Sequence, residues 1–202
     1  MPSRIAKATI SVFSNVLGVF TVLIFAFYLL LSREKFDDVI ALFFGDDKKA
    51  SISRLVDKLE SKLGGWARGE LFLMFLVGSF TFVGLTLLSI PFALPLAILA
   101  GIFEIIPIIG PTVSAIPSVI IGFSISPVTG VAAASLAFLI QQVENYVFVP
   151  RVMQASVGVN PIVTLLSLAI GFRLAGIVGG LIAIPVVIAL QVLLKEYLSS
   201  RD

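Results

Sequence analysis

The sequence predicts an all-α, polytopic integral membrane protein with broken or re-entrant helices in its C-terminal body, and three observations carry that prediction. Of the 202 residues, 58% are hydrophobic and only 13% charged, with a mean hydropathy of +1.12, whereas a soluble domain is about a quarter charged. The charges are also segregated. Residues 32–70 hold eight Lys/Arg and eight Asp/Glu, but the 124 residues from Leu71 to Leu194 hold only Glu104, Glu144, Arg151 and Arg173. Finally, proline and glycine interrupt the later apolar runs at spacings that a straight helix cannot absorb.

The same composition removes whole classes of function. The chain has no cysteine and no histidine, which excludes disulfides, thiolate metal sites and the commonest acid–base side chain. No GxxxxGK[ST] loop is present, so nucleotide hydrolysis is not expected. A formal charge of +2 gives no footprint for nucleic acid. No cofactor and no metal are expected, and the chain reads as a non-enzyme. Its chemistry must run on carboxylates, amides, hydroxyls and backbone.

Residues 1–32 read as an N-terminal transmembrane span. The uncharged run Ala8–Ser32 reaches about 37 Å as a helix, more than a hydrocarbon core of about 30 Å. A cleaved signal peptide fits less well, because the apolar stretch is too long and no small-x-small site follows it. Residues 33–68 read as a cytoplasmic linker of two amphipathic helices. Phe36, Val39, Ile40, Phe43 and Phe44 form one stripe; Ile52, Leu55, Val56, Leu59 and Leu63 form another. A turn at Gly45-Asp46-Asp47 separates them, Ser51 or Ser53 caps the second, and Gly64-Gly65 ends it. The eight Lys/Arg place this linker inside by the positive-inside rule.

Residues 69–195 read as a membrane-embedded transport core, and 196–202 as a cytoplasmic tail. Leu71–Ile90 is an uninterrupted span whose Gly78 and Gly84 permit close helix packing in lipid. Residues 92–106 and 110–124 are each short of a crossing, at about 22 Å. Between them Glu104 is followed by Pro107, Gly110 and Pro111. Val128–Val149 is a further span, closed by Pro150. After Pro161 the run to 194 is interrupted by Arg173, Gly176, Gly179 and Pro185. Two interrupted pairs, 92–124 and 159–194, each preceded by one continuous span, are the pattern that points to a transporter's binding region.

Ionisable groups at membrane depth mark pathways more often than not. Glu104 precedes a helix break whose freed backbone could solvate it. Gln141, Glu144 and Asn145, with Gln142 between them, place a polar stripe on an apolar span, and lipid would turn that stripe inward. With histidine absent, Glu104 or Glu144 is the expected carrier of a proton or cation. A structural alternative pairs Glu104 with Arg173 and leaves Glu144 near the interface beside Arg151.

Several of these segments are similar to the motifs of one family. Gly65-Trp66-Ala67-Arg68-Gly69-Glu70 resembles the Gly-Tyr-x-Arg-Gly-Gln that opens a span in the autoinducer-2 exporter (AI-2E) family, with Trp66 for Tyr and Glu70 for Gln. Glu104–Pro111 resembles its Ile-Pro-x-x-Gly-Pro block. Gln142-x-Glu144-Asn145 with Pro150, Val157–Pro161, and Gly176-x-x-Gly179 with Pro185 follow in its order. The resemblance covers residues 32–195. It implies a homo-oligomeric permease, multi-pass in the cytoplasmic membrane of a prokaryote, that exports autoinducer-2 (and so serves quorum sensing) or another small molecule. Other members look like sodium/proton antiporters. Implied partners are membrane lipids, the solute, and H+ or Na+. Family members are longer at the N-terminus, so a truncated, non-transporting membrane assembly protein is a further alternative.

Overall fold

In a computed structural model of the chain, residues 45–107, 109–153 and 161–199 are described, together with 18, 21, 24–28, 31, 32 and 42. The chain divides into two units, Met1–Val56 and Asp57–Asp202. Among the described residues every regular element is helical. In the first unit the described positions among residues 1–32 are helical apart from a turn at Ser32, and helix α1 starts there. The first linker stripe, 36–44, lies outside the described residues apart from Leu42.

Helix α1 runs from Asp46 to Leu87 and corrects the expected linker in two ways. It begins directly after Gly45, whose φ of 80° only glycine adopts freely, so Ser51 and Ser53 lie inside it rather than at its cap. It also passes straight through Gly64-Gly65. Two glycines cost a helix about 1 kcal/mol each against alanine, but packing on both sides of them offsets that. Leu63 and Trp66 lie against a buried cluster of Leu168, Ala183, Ile184 and Ile188. Past Gly69 the buried positions of α1 are Glu70, Leu73, Val77, Gly84 and Leu85, one helical stripe.

A turn at 88–92, with Ser89 and Phe92 at positive φ, leads into α2 (Ala93–Phe103). Residues 104–107 break the helix before α3 (Ile109–Ile125), so the predicted interruption is present and its bounds are close to those expected. Ser126 then caps α4 (Pro127–Val143) by accepting the Thr129 N–H at 3.0 Å, with Pro127 at the first helical position. A single π-helical turn, Glu144–Phe148, and the short α5, Val149–Met153, complete that segment. Leu85, Ile90, Leu96 and Ala133 form one core among these helices; Val77, Ala100 and Ile140 form a second.

The last element, α6 (Pro161–Ser199), is helical throughout except at Ala175 and Gly176. There the backbone reverses. A Cβ on Gly171 would strike the carbonyl of Gly179, and one on Gly179 the carbonyl of Gly171. Residues eight apart in a straight helix are about 12 Å apart, so α6 is a hairpin with arms 161–174 and 177–199. Its second arm returns beside α1, where the Lys58 ammonium meets Glu196 Oε2 at 2.5 Å.

On α3 the usual distribution of side chains is inverted, and large apolar side chains are exposed elsewhere in the second unit too. The buried face of α3 is Gly110, Ser114, Ser118 and Gly122, whereas Val113, Ile116, Ile120 and Phe123 are exposed. On α1 the exposed positions include Leu71, Phe72, Phe75, Phe82 and Val83. Two helical runs, Lys49–Leu87 and Ile162–Leu198, are long and apolar enough to cross a membrane. The second contains the reversal at 175–176, so it is two arms rather than one straight crossing.

Candidate functional site

Three buried carboxyl groups lie within electrostatic reach of one another inside the second unit, each delivered by a different element. Glu70 sits on the inward stripe of α1, at the position where the polar linker sequence gives way to the apolar one. Glu104 is the C-cap of α2, the last residue before the break. Glu144 opens the π turn after α4. Their exposures are 4%, 1% and 2%, values that fully solvated charges never show.

The charged groups acting on Glu104 are Glu144 and Glu70, and the Glu104 and Glu144 carboxyls are near neighbours. An ionised carboxylate can only accept, so two neighbouring carboxyls can bond to each other only while one of them holds a proton. Gln141 Nε2 donates to Glu144 Oε2 at 3.3 Å. One oxygen of Glu70, one of Glu104 and the indole Nε1 of Trp66 are buried without a hydrogen-bond partner. Unmet donors and acceptors of this kind are rare in folded interiors and call for a function, a water or an ion.

The local backbone explains why these groups converge. Gly110 lies so close to the Phe103 carbonyl that a Cβ there would overlap it, and the Glu104 amide is close by as well. This contact folds α3 back on α2 and holds Glu104 at the inside of the turn. At the π turn the Val149 N–H donates to Glu144 O, five residues back. One extra residue in the turn re-aims the side chains that follow.

The sequence-predicted residues therefore separate into two groups. Glu104 and Glu144 come together, with Gln141 attached and Gln142 half-buried beside them in sequence. Asn145, expected on the same inward face, is exposed; it follows Glu144 by one residue, and the π turn carries it outward. Pro107 lies in the first break, while Gly110 and Pro111 open α3. Arg173 is exposed on the first arm of α6 and is not among the groups acting on Glu104. Gly176 is the reversal itself, with φ 59° and ψ −141°. Gly179 is its packing contact, and Pro185 lies within the second arm. Pro150 sits in α5 and Pro161 opens α6. Residues 154–160 lie outside the described residues.

Glu70 and Trp66 were missed as site residues, because Glu70 reads as the last of sixteen linker charges. A signal was present. Glu70 is in helical register with Leu73, Val77 and Gly84, and the glycine on that stripe marks the face that meets other helices.

All the donors here are hard oxygens, which suit a proton or a hard cation rather than a soft metal. Among the described residues no group of three Asp/Glu is arranged to hold a metal ion.

Comparison with known proteins gives this arrangement a context. The chain is 28% identical to "Putative transport protein YueF" of Bacillus subtilis (strain 168) over 190 residues, which is 92% of this chain and 52% of that protein. It is 28% identical to "Putative transport protein YrrI" of the same organism over 149 residues, 74% of this chain and 42% of that one. A Mycobacterium tuberculosis relative named "Putative transport protein MT0215" is 34% identical over 140 residues, 66% of this chain and 38% of the relative. The chain thus spans about half the length, or less, of these curated relatives. The profile described as "AI-2E family transporter" matches residues 2–199, nearly the whole sequence, and the chain belongs to that family.

Proposed function

We propose that this chain is a membrane-embedded permease core that couples movement of a small solute to proton transfer on Glu104 and Glu144, with Glu70 as a third member. The observation that carries the reading is the pair of buried carboxyls, Glu104 at 1% and Glu144 at 2% exposure, one at a helix break and the other at a π turn. Sites of this kind bind and release a proton without a metal, and both backbone irregularities permit the side chains to be re-aimed. The many exposed Phe, Leu, Ile and Val side chains support membrane embedding, as does the inward Gly110, Ser114, Ser118 and Gly122 face of α3. The reading extends to the cytoplasmic membrane of a prokaryote, with the α2–α3 and α6 hairpins re-entering, export of an autoinducer-2-like or other solute as the direction, and a homo-oligomeric assembly.

The second reading is a sodium/proton antiporter, favoured by the unpartnered oxygens of Glu70 and Glu104, which could receive a cation. Reconstitution into liposomes carrying an internal pH-sensitive dye separates the two. Solute-driven proton flux that is lost in Glu104→Gln or Glu144→Gln supports the permease. Sodium-driven flux with no solute requirement selects the antiporter. No flux at all, against clear flux from a full-length relative, overturns both for this chain and leaves it a membrane assembly component.

A further inference from the structure

One cavity in the second unit adjoins the carboxyl cluster and is absorbed by none of the roles above. It has a volume of about 30 Å³ and lies among α1, α2, α3 and α4. A buried water requires about 10–15 Å³ on this measure, together with two to four polar partners. The space therefore suits about two waters and is too small for an organic solute.

Its polar lining consists of Thr81, Ser114, Ser118 and Gln141, set in a wall that is otherwise apolar, such as Leu85 and Ala137. Ser114 Oγ donates to the Pro111 carbonyl at 3.0 Å and Ser118 Oγ to the Ala115 carbonyl at 2.8 Å. Each hydroxyl has spent its hydrogen on its own helix and keeps oxygen lone pairs for a water. Both serines are nonetheless buried, at 3% and 5% exposure. Gln141 belongs to the cavity and to the site at once, because its Nε2 donates to Glu144 Oε2. The polar path thus runs from the α3 hydroxyls that line the cavity with Gln141 to Glu144, then Glu104, with Glu70 acting on Glu104.

We propose that this cavity is a hydrated chamber through which protons reach the Glu104–Glu144 pair. The inference rests on the proton-carrying reading of that pair and adds its route of supply. In the transfer itself, a hydronium in the chamber gives its proton to a carboxylate oxygen, leaving water and a neutral acid. The reverse transfer empties the site. The ionisable groups that bear on the pair are Glu70, Glu104 and Glu144 themselves. Thr81 and Gln141 hold the waters in place from α1 and α4 while the serines hold them from α3.

Infrared spectroscopy of the full chain in liposomes tests this directly, because a neutral carboxylic acid has its own carbonyl stretch and that band shifts on deuteration. The wild-type protein should show the band, and Glu104→Gln should remove it. On transfer to D2O, Ala137→Leu, which fills the chamber, should slow deuteration by about tenfold or more. Ser114→Ala with Ser118→Ala, which strips its hydroxyls without adding volume, should slow it likewise and guards against misfolding of the larger variant. Ala134→Leu, at an exposed position of the same helix, should leave the rate unchanged. Absence of the band overturns the proton-sharing pair and the chamber with it. A band whose deuteration is as fast in the filled and stripped variants as in the wild type leaves the pair standing and overturns the chamber.

Discussion

The two interrupted segments look alike in sequence and differ in what they build. Each is an apolar run broken by glycine and proline, with one charged residue just before the break. In the first, Glu104 is on the inside of the turn and 1% exposed. In the second, Arg173 is exposed and the turn is closed by backbone contact between Gly171 and Gly179. A broken helix is therefore not by itself a site. The helical face that carries the charge decides whether the freed backbone and the side chain converge or part. The first break gathers chemistry; the second is a packing device that returns the chain to α1.

The largest effect expected from this contrast is at the first break. Glu104→Gln keeps the shape of the side chain but removes its titratable proton, so coupled flux should fall by about 100-fold, on the scale of losing a positioned proton carrier. Circular dichroism and yield should change little. Flux within a few-fold of wild type would remove the distinction between the two breaks.

Substitution at the second break should act on stability instead. Gly179→Ala places a Cβ against the Gly171 carbonyl, so the arms must separate, at a cost of about 1–3 kcal/mol or more. Gly176→Ala meets no neighbouring atom but forces alanine into φ 59°, ψ −141°, a region open essentially to glycine, which costs about 1–3 kcal/mol. Both should lower the denaturant midpoint while flux per folded molecule stays near wild type. A specific loss of flux without loss of stability would move the α6 turn into the transport machinery.

The contrast also separates what was legible from what was not. Proline and glycine mark backbone that cannot stay helical, so the breaks at 104–107 and at Gly176 were readable to within a few residues. Intramembrane carboxylates are scarce, so Glu104 and Glu144 stood out. Glu70 did not, because the linear sequence places it among solvated charges while the helix turns it inward three residues before Leu73. Nor could the sequence show that α1 continues through Gly64-Gly65: the favourable packing comes from Leu168 and Ile188, more than 100 residues away. The π turn that exposes Asn145 has no residue signature either. It follows from how α4 meets its neighbours, and local propensity does not encode that.

The smallest effect belongs to Arg173. A charge next to a helix break in an apolar run invites a functional role, and pairing with Glu104 was its natural alternative. The structure leaves it exposed on the first arm of α6, while the groups acting on Glu104 are other carboxylates. Replacing Arg173 with Gln should therefore change stability by no more than about 0.5 kcal/mol, as exposed substitutions usually do, and should leave proton flux unchanged. Loss of flux in Arg173→Gln, restored by Arg173→Lys, would show that a positive charge at the second break takes part in the cycle. The two interruptions would then be halves of one machine, with the carboxylates at one turn answered by a cation at the other.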